Sequence, residues 1–164
     1  MRHIISVLLE NESGALSRVA GLFSARGYNI ESLTVAPTND ETLSRMTIVT
    51  TGDERRIDQV EKQLNKLVDV VALQDITISG HLEREVVLAK VVVDDAAQKS
   101  RLDAIVKGFN AALISVSASQ FIVEMSGSTE KVNELLHSLD GIAIIELARS
   151  GATGLSSGQT ALAV

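Results

Sequence analysis

Cysteine is absent from the 164-residue chain, which excludes disulfides, thiolate metal sites and cysteine nucleophiles, and is compatible with a reducing cytosol. Large rings are almost as scarce: Phe23, Tyr28, Phe109 and Phe121 make up the whole aromatic complement. The core must therefore be built from Val, Ile, Leu and Ala, and stacking on exposed bases is not expected. Positive charge is also in short supply. Against 21 Asp and Glu stand 15 Lys and Arg, a formal charge of -6, and such a surface repels phosphate backbones while favouring solubility. No apolar run approaches the ~20 residues that span a bilayer. Met1-Arg2-His3 leads directly into a strand-like stretch and not into an apolar signal segment. The chain is expected to be cytoplasmic. Walker, dinucleotide-glycine and calcium-loop patterns are missing as well.

What is present is the balance of a folded protein, 45% hydrophobic and 22% charged. The apolar pattern repeats one plan twice. Ile4 to Leu9 reads as a buried strand that ends in the polar turn Glu10 to Gly14. A helix follows, with Ser13 as its expected N-cap, Leu16, Val19, Ala20 and Phe23 at helical spacing, and Gly27 in the left-handed position beyond its end. Strands are expected at 29–36 and 43–51 around a turn at 37–40. Asp53 then caps a helix carrying Ile57, Val60, Leu64 and Leu67, with Asp58 and Lys62 paired one turn apart, and Val70 to Ile76 closes the unit as a strand.

After a linker at 77–81 the same order returns. Val86 to Val93 is a strand, and Asp94 or Asp95 starts a helix with Leu102, Ile105, Val106 and Phe109. Strands are expected at 113–117 and 121–126, a helix capped by Ser128 with Val132, Leu135, Leu136 and Leu139, and a last strand at 142–148. The expected architecture is α+β: two tandem ferredoxin-like (βαββαβ) sandwiches at 1–78 and 82–150, then a flexible Gly/Ser/Thr/Ala tail at 151–164. Units this small bury only ~60% of their unfolded surface, so each gains from a partner that covers an edge or a bare sheet face.

Asn11-Glu12-Ser13-Gly14-Ala15-Leu16 is the most informative segment, because free backbone N–H groups point outward where a strand gives way to a helix. With the helix dipole they can hold a carboxylate, and Gly14 lets that anion approach without a Cβ in the way. The Asn11 amide both donates and accepts, which suits an α-amino acid. Strand-to-helix turns of this composition are also common without any ligand. Arg26 to Ser32 carries a second amide, Asn29, at the mouth of a strand, although Asn29 could equally finish the helix cap.

The runs Leu8 to Val19, Gly21 to Ser24 and Arg26 to Val35, extended by Leu43 to Thr47 and Gln63 to Val70, closely resemble the small regulatory subunit of acetolactate synthase, also called acetohydroxyacid synthase, whose first domain is an ACT domain. Over 82–150 the resemblance is looser, held by architecture and by Glu146 to Gly151. It implies a non-catalytic subunit of branched-chain amino-acid biosynthesis that joins a separate catalytic chain, raises its activity and confers feedback inhibition by valine. Thiamine diphosphate, Mg and FAD would belong to that catalytic partner, with no cofactor in this chain. The resemblance also implies ACT domains paired edge to edge as a homodimer. Asn11, Gly14, Ala15 and Leu16 of one copy would hold the effector's carboxylate and side chain, while Asn29 and Ile30 of the other meet its ammonium and complete the apolar wall.

Other patterns carry less. Gly154-Leu155-Ser156-Ser157-Gly158 matches the nucleophile-elbow spacing, but no helix can follow it and no His lies downstream. Asn11-Glu12-Ser13 is better read as a helix start than as a glycosylation acceptor. His3, His81 and His137 lack metal-ligand spacing and read as surface or linker residues. Asp94-Asp95 reads as a cap, not a cation site. Two alternatives stay open: an ACT-type sensor for another enzyme or transcription factor, and an acylphosphatase-like enzyme using Asn11 and Arg18.

Overall fold

The computed structural model describes residues 1–78, 80–159 and 161–163. The first unit contains β1 (Arg2–Glu10), α1 (Ala15–Ala25), β2 (Ile30–Pro37), β3 (Leu43–Thr51), α2 (Glu54–Leu64) and β4 (Val70–Asp75). Its antiparallel sheet has the order β2-β3-β1-β4, with β2 at one edge. Alternate residues Ile5, Val7 and Leu9 of β1 and Met46 and Ile48 of β3 pack against Ala15, Val19 and Phe23 of α1 and Val60 and Leu64 of α2. That period-two pattern against two helical stripes is the ferredoxin-like sandwich. Asp53 caps α2 by accepting from Arg56 N at 2.8 Å, and Lys62 reaches Asp58 at 2.7 Å.

The second unit begins at Glu83. It is built from β5 (His81–Val92), α3 (Ala96–Phe109), β6 (Ala112–Ser115), β7 (Gln120–Gly127), α4 (Thr129–Ser138) and β8 (Ala143–Arg149), in the strand order β6-β7-β5-β8. Val87, Ala89, Val91, Val123 and Met125 meet Leu102, Val132, Leu135 and Leu139 in its core. Asp95, not Asp94, caps α3 by accepting from Gln98 N at 2.7 Å, and Ser128 caps α4. Left-handed Asn110 ends α3. Glu85 is 3% exposed and takes a two-pronged clamp from Arg149, Nε to Oε1 at 2.6 Å and Nη2 to Oε2 at 2.9 Å. Of the expected linker, Ser79 lies outside the described residues, and β5 already begins at His81.

The expected flexible tail is corrected by a ninth strand. Thr153–Ser156 forms β9, and the residues from Ala152 onward belong to the first unit. Ala152 is buried with Ile4, Val49 and Ile76 on the sheet face away from the helices. Thr34 Oγ1 donates to Ala152 O at 3.0 Å, and Gly154 N donates to Thr47 Oγ1 at 3.3 Å. Small residues permit this close approach: a Cβ at Gly154 would stand 2.8 Å from Ile76 Cδ1. Thr160 and Val164 of that tail lie outside the described residues. We expect Gly154→Val to lower stability by ~1–3 kcal/mol through overpacking, as measured by urea unfolding. An unchanged midpoint would mean that β9 is not seated on this face.

His3 also departs from its expected surface role: it is buried, and its Nδ1 lies 2.8 Å from Asp75 Oδ2. The pairing of β1 with β4 brings Asp75 alongside that strand.

Candidate functional site

The turn after β1 is held from both sides. Asn11 N donates to Thr42 O at 2.7 Å, Asn11 Nδ2 donates to Glu41 O at 2.9 Å, and Ser44 Oγ donates to Asn11 Oδ1 at 3.1 Å. Asn11 is thus oriented by the start of β3, with one amide hydrogen and one lone pair still available. The expected cap is corrected here. Ser13 does not cap α1; Gly14 occupies the N-cap at φ 90°, and no side chain accepts from the first turn. A left-handed glycine turns the chain so sharply that Ser13 cannot fold back over the helix start.

The first helical bond runs from Arg18 N to Gly14 O at 2.9 Å, and Ala15 N makes only a long 3.3 Å contact with Glu12 O. Among the described residues no acceptor meets the N–H groups of Leu16 and Ser17. Such orphan amides carry the positive end of the helix dipole. Beside them a pocket of about 220 Å³ is lined by Asn11, Ala15 and Leu16 together with Val35, Ala36 and Pro37 at the end of β2. Leu16, read both as part of the apolar stripe of α1 and as an effector contact, is 43% exposed and forms part of this wall.

Asn29 and Ile30 are not brought to this pocket within one chain. Ile30 pairs with Thr50 at one end of β2, and Pro37 pairs with Ser44 at the other. The two ends are roughly 23 Å apart at ~3.3 Å per residue. Asn29 is fixed through its carbonyl, which accepts from Thr50 Oγ1 at 2.5 Å, and Ile30 packs on the helix-facing core.

Two contributors escaped the sequence reading. The Val35–Pro37 segment is one, since strand pairing alone carries it to the pocket. The other is the pairing of Arg18, which the sequence offered only to the acylphosphatase alternative: it lies one turn beyond Gly14, and a Cβ at Gly14 would stand 2.8 Å from its Nη1. Arg18 Nε and Nη2 each reach Asp69 at 2.6 Å, and Asp69 is 4% exposed. The hydrogen bonds from Arg18 hold the Asp69 carboxyl below its ordinary value, and the same partner raises Arg18. With its charge already matched, Arg18 is poorly placed to cradle a phosphoryl group, which weighs against the acylphosphatase alternative.

Among the described residues no group of three or more His, Asp or Glu side chains is arranged to hold a metal ion, and no helix is long and apolar enough to cross a membrane. The family described as AHAS small subunit-like ACT domain matches residues 5–72, and the one described as small subunit of acetolactate synthase matches residues 84–158, past β8 and through β9. The chain is 52% identical over 159 residues to the acetolactate synthase isozyme 3 small subunit of Salmonella typhimurium, covering 96% of this chain and 97% of that one. Its counterpart in Escherichia coli is likewise 52% identical, over 164 residues, with the same coverage. The crystal structure of the acetolactate synthase small subunit from Thermotoga maritima superposes with a TM-score of 0.87 at 34% identity, covering 98% of this chain and 99% of that one. With an ACT sandwich in front, a second ferredoxin-like sandwich behind it and this likeness along nearly its whole length, the chain belongs to the acetolactate synthase small-subunit family.

Proposed function

We propose that this chain is the regulatory, non-catalytic partner of an acetolactate synthase catalytic chain in the cytoplasm, which it activates and makes sensitive to valine. In this reading thiamine diphosphate, Mg and FAD belong to the catalytic chain. The observation that carries the proposal is the pair of unsatisfied amides at Leu16 and Ser17, opening beside an aliphatic pocket with the Asn11 amide at its rim. Donors at a helix start suit a carboxylate, and Val35, Ala36, Pro37 and Leu16 suit a branched aliphatic side chain.

The second copy enters through β2, an edge strand of its sheet. If two β2 strands pair antiparallel across a two-fold axis, the Ile30 end of one copy lies beside the Pro37 end of the other. Asn29 and Ile30 then close the pocket from the partner. Valine in such a seam acts only by favouring one arrangement of the two copies over another, with a typical coupling of ~1–3 kcal/mol.

The test is thermal unfolding of the full chain with valine, leucine, isoleucine or lysine. Valine at about a hundred times its Kd should stabilise the folded state by ~2.7 kcal/mol, a rise in Tm of several degrees. Lysine should do nothing. The proposal fails if valine leaves Tm unmoved or if lysine shifts it equally.

A further inference from the structure

The opposite face of the first unit's sheet carries a charge without a counterpart. Arg45 pairs with Ala36 on one side and Leu8 on the other. Its neighbour Met46 points into the helix-facing core, so Arg45 projects to the face that β9 covers. Its Nε is buried without a hydrogen-bond partner. Among the described residues the guanidinium has no ion pair either, in contrast to Arg18 with Asp69 and Arg149 with Glu85. Burial pulls its pKa below the ordinary arginine value, with no carboxylate to oppose the shift.

Around it lies a recess of about 510 Å³, bounded by Pro37 at the end of β2, by Thr38 and Asn39 just after it, and by Thr153 and Leu155 of β9. The side chains of Asn39 and Thr153 make no hydrogen bond among the described residues. A partly desolvated guanidinium is costly unless an anion meets it, and its planar fork matches the two oxygens of a carboxylate. The apolar share of the lining, from Val35, Ala36, Pro37 and Leu155, favours a short aliphatic tail over a bare inorganic anion. We infer that the recess at Arg45 is a second small-molecule site, which takes a short aliphatic carboxylate at Arg45 and shares the Val35–Pro37 wall with the pocket at Asn11 and Leu16. The inference holds whether or not valine binds at that first pocket.

The experiment is a titration of the isotope-labelled full chain with butyrate, followed by NMR. The Arg45 Nε–H and the Asn39 and Thr153 amides should shift and saturate by about 20 mM, the millimolar range of a ligand this small. Arg45→Gln should weaken binding at least ~10-fold, the loss of one charge-assisted contact, while Gly14→Asp titrates as the parent does. Leu155→Glu tests the same site without removing the arginine, since the new carboxylate should occupy Arg45 and exclude butyrate. The assignment is overturned if the Arg45 signal stays still at 20 mM, if Leu155→Glu or a folded Arg45→Gln binds butyrate normally, or if Gly14→Asp abolishes binding. Inorganic phosphate should produce no comparable shift, and phosphate binding in place of butyrate would reject the carboxylate.

Discussion

Gly14→Asp should abolish the response to valine while the catalytic partner is still activated. The expected loss in valine affinity is roughly a hundredfold, because charge-assisted hydrogen bonds worth ~1.5–3 kcal/mol are replaced by repulsion between two carboxylates. Geometry adds a second effect. Gly14 sits at φ 90°, and a Cβ there meets Arg18 Nη1 at 2.8 Å, so any side chain brings backbone strain of ~1–3 kcal/mol. Gly14→Ala carries that strain without the charge and should keep a measurable valine response, which separates the two contributions. Thermal shift with valine and inhibition of the reconstituted enzyme are the measurements. A Gly14→Asp chain with normal valine sensitivity would remove the site from the turn altogether.

The largest stability effect is expected in the second unit. Arg149→Met leaves the Glu85 carboxylate at 3% exposure without its clamp. Breaking one side of a buried pair typically costs ~3–5 kcal/mol, and the low end applies here because Arg149 is itself 33% exposed. Arg149 also donates to Asn133 at 3.1 Å, so the change loosens α4 as well as β5. Removing both charges, with Glu85→Leu added, should recover most of the loss, because no orphan carboxylate remains. Urea unfolding of both variants measures the difference. A single mutant within ~1 kcal/mol of the parent would show that water reaches Glu85 freely.

Local chemistry explains which features were legible in the residues. Asp53 and Ser128 cap helices where a short oxygen-bearing side chain precedes an apolar period, and Gly27 takes the left-handed position at φ 63°. Asn11, Ala15 and Leu16 come to one pocket because a strand-to-helix turn is a local event, with Gly14 beside it at the N-cap. Features that depend on distant pairing were not legible. Arg45 reads as an ordinary strand arginine until β9 lies across it. His3 reads as a surface residue until Asp75 arrives from β4. Ser13 was a sound cap by composition, yet Gly14 turned the backbone away from it. The tail failed for a different reason: Ala, Gly, Ser and Thr carry no hydrophobic period, and their fit to the sheet depends on being small.

The placement of β9 bears on how the molecule is made. The residues that finish the first sandwich are translated only after the whole of the second one. A nascent chain that has just released its sixth element from the ribosome therefore holds Ile4, Val49 and Ile76 open to water. That greasy strip stays available to chaperones, or to other newborn copies, until Ala152 emerges.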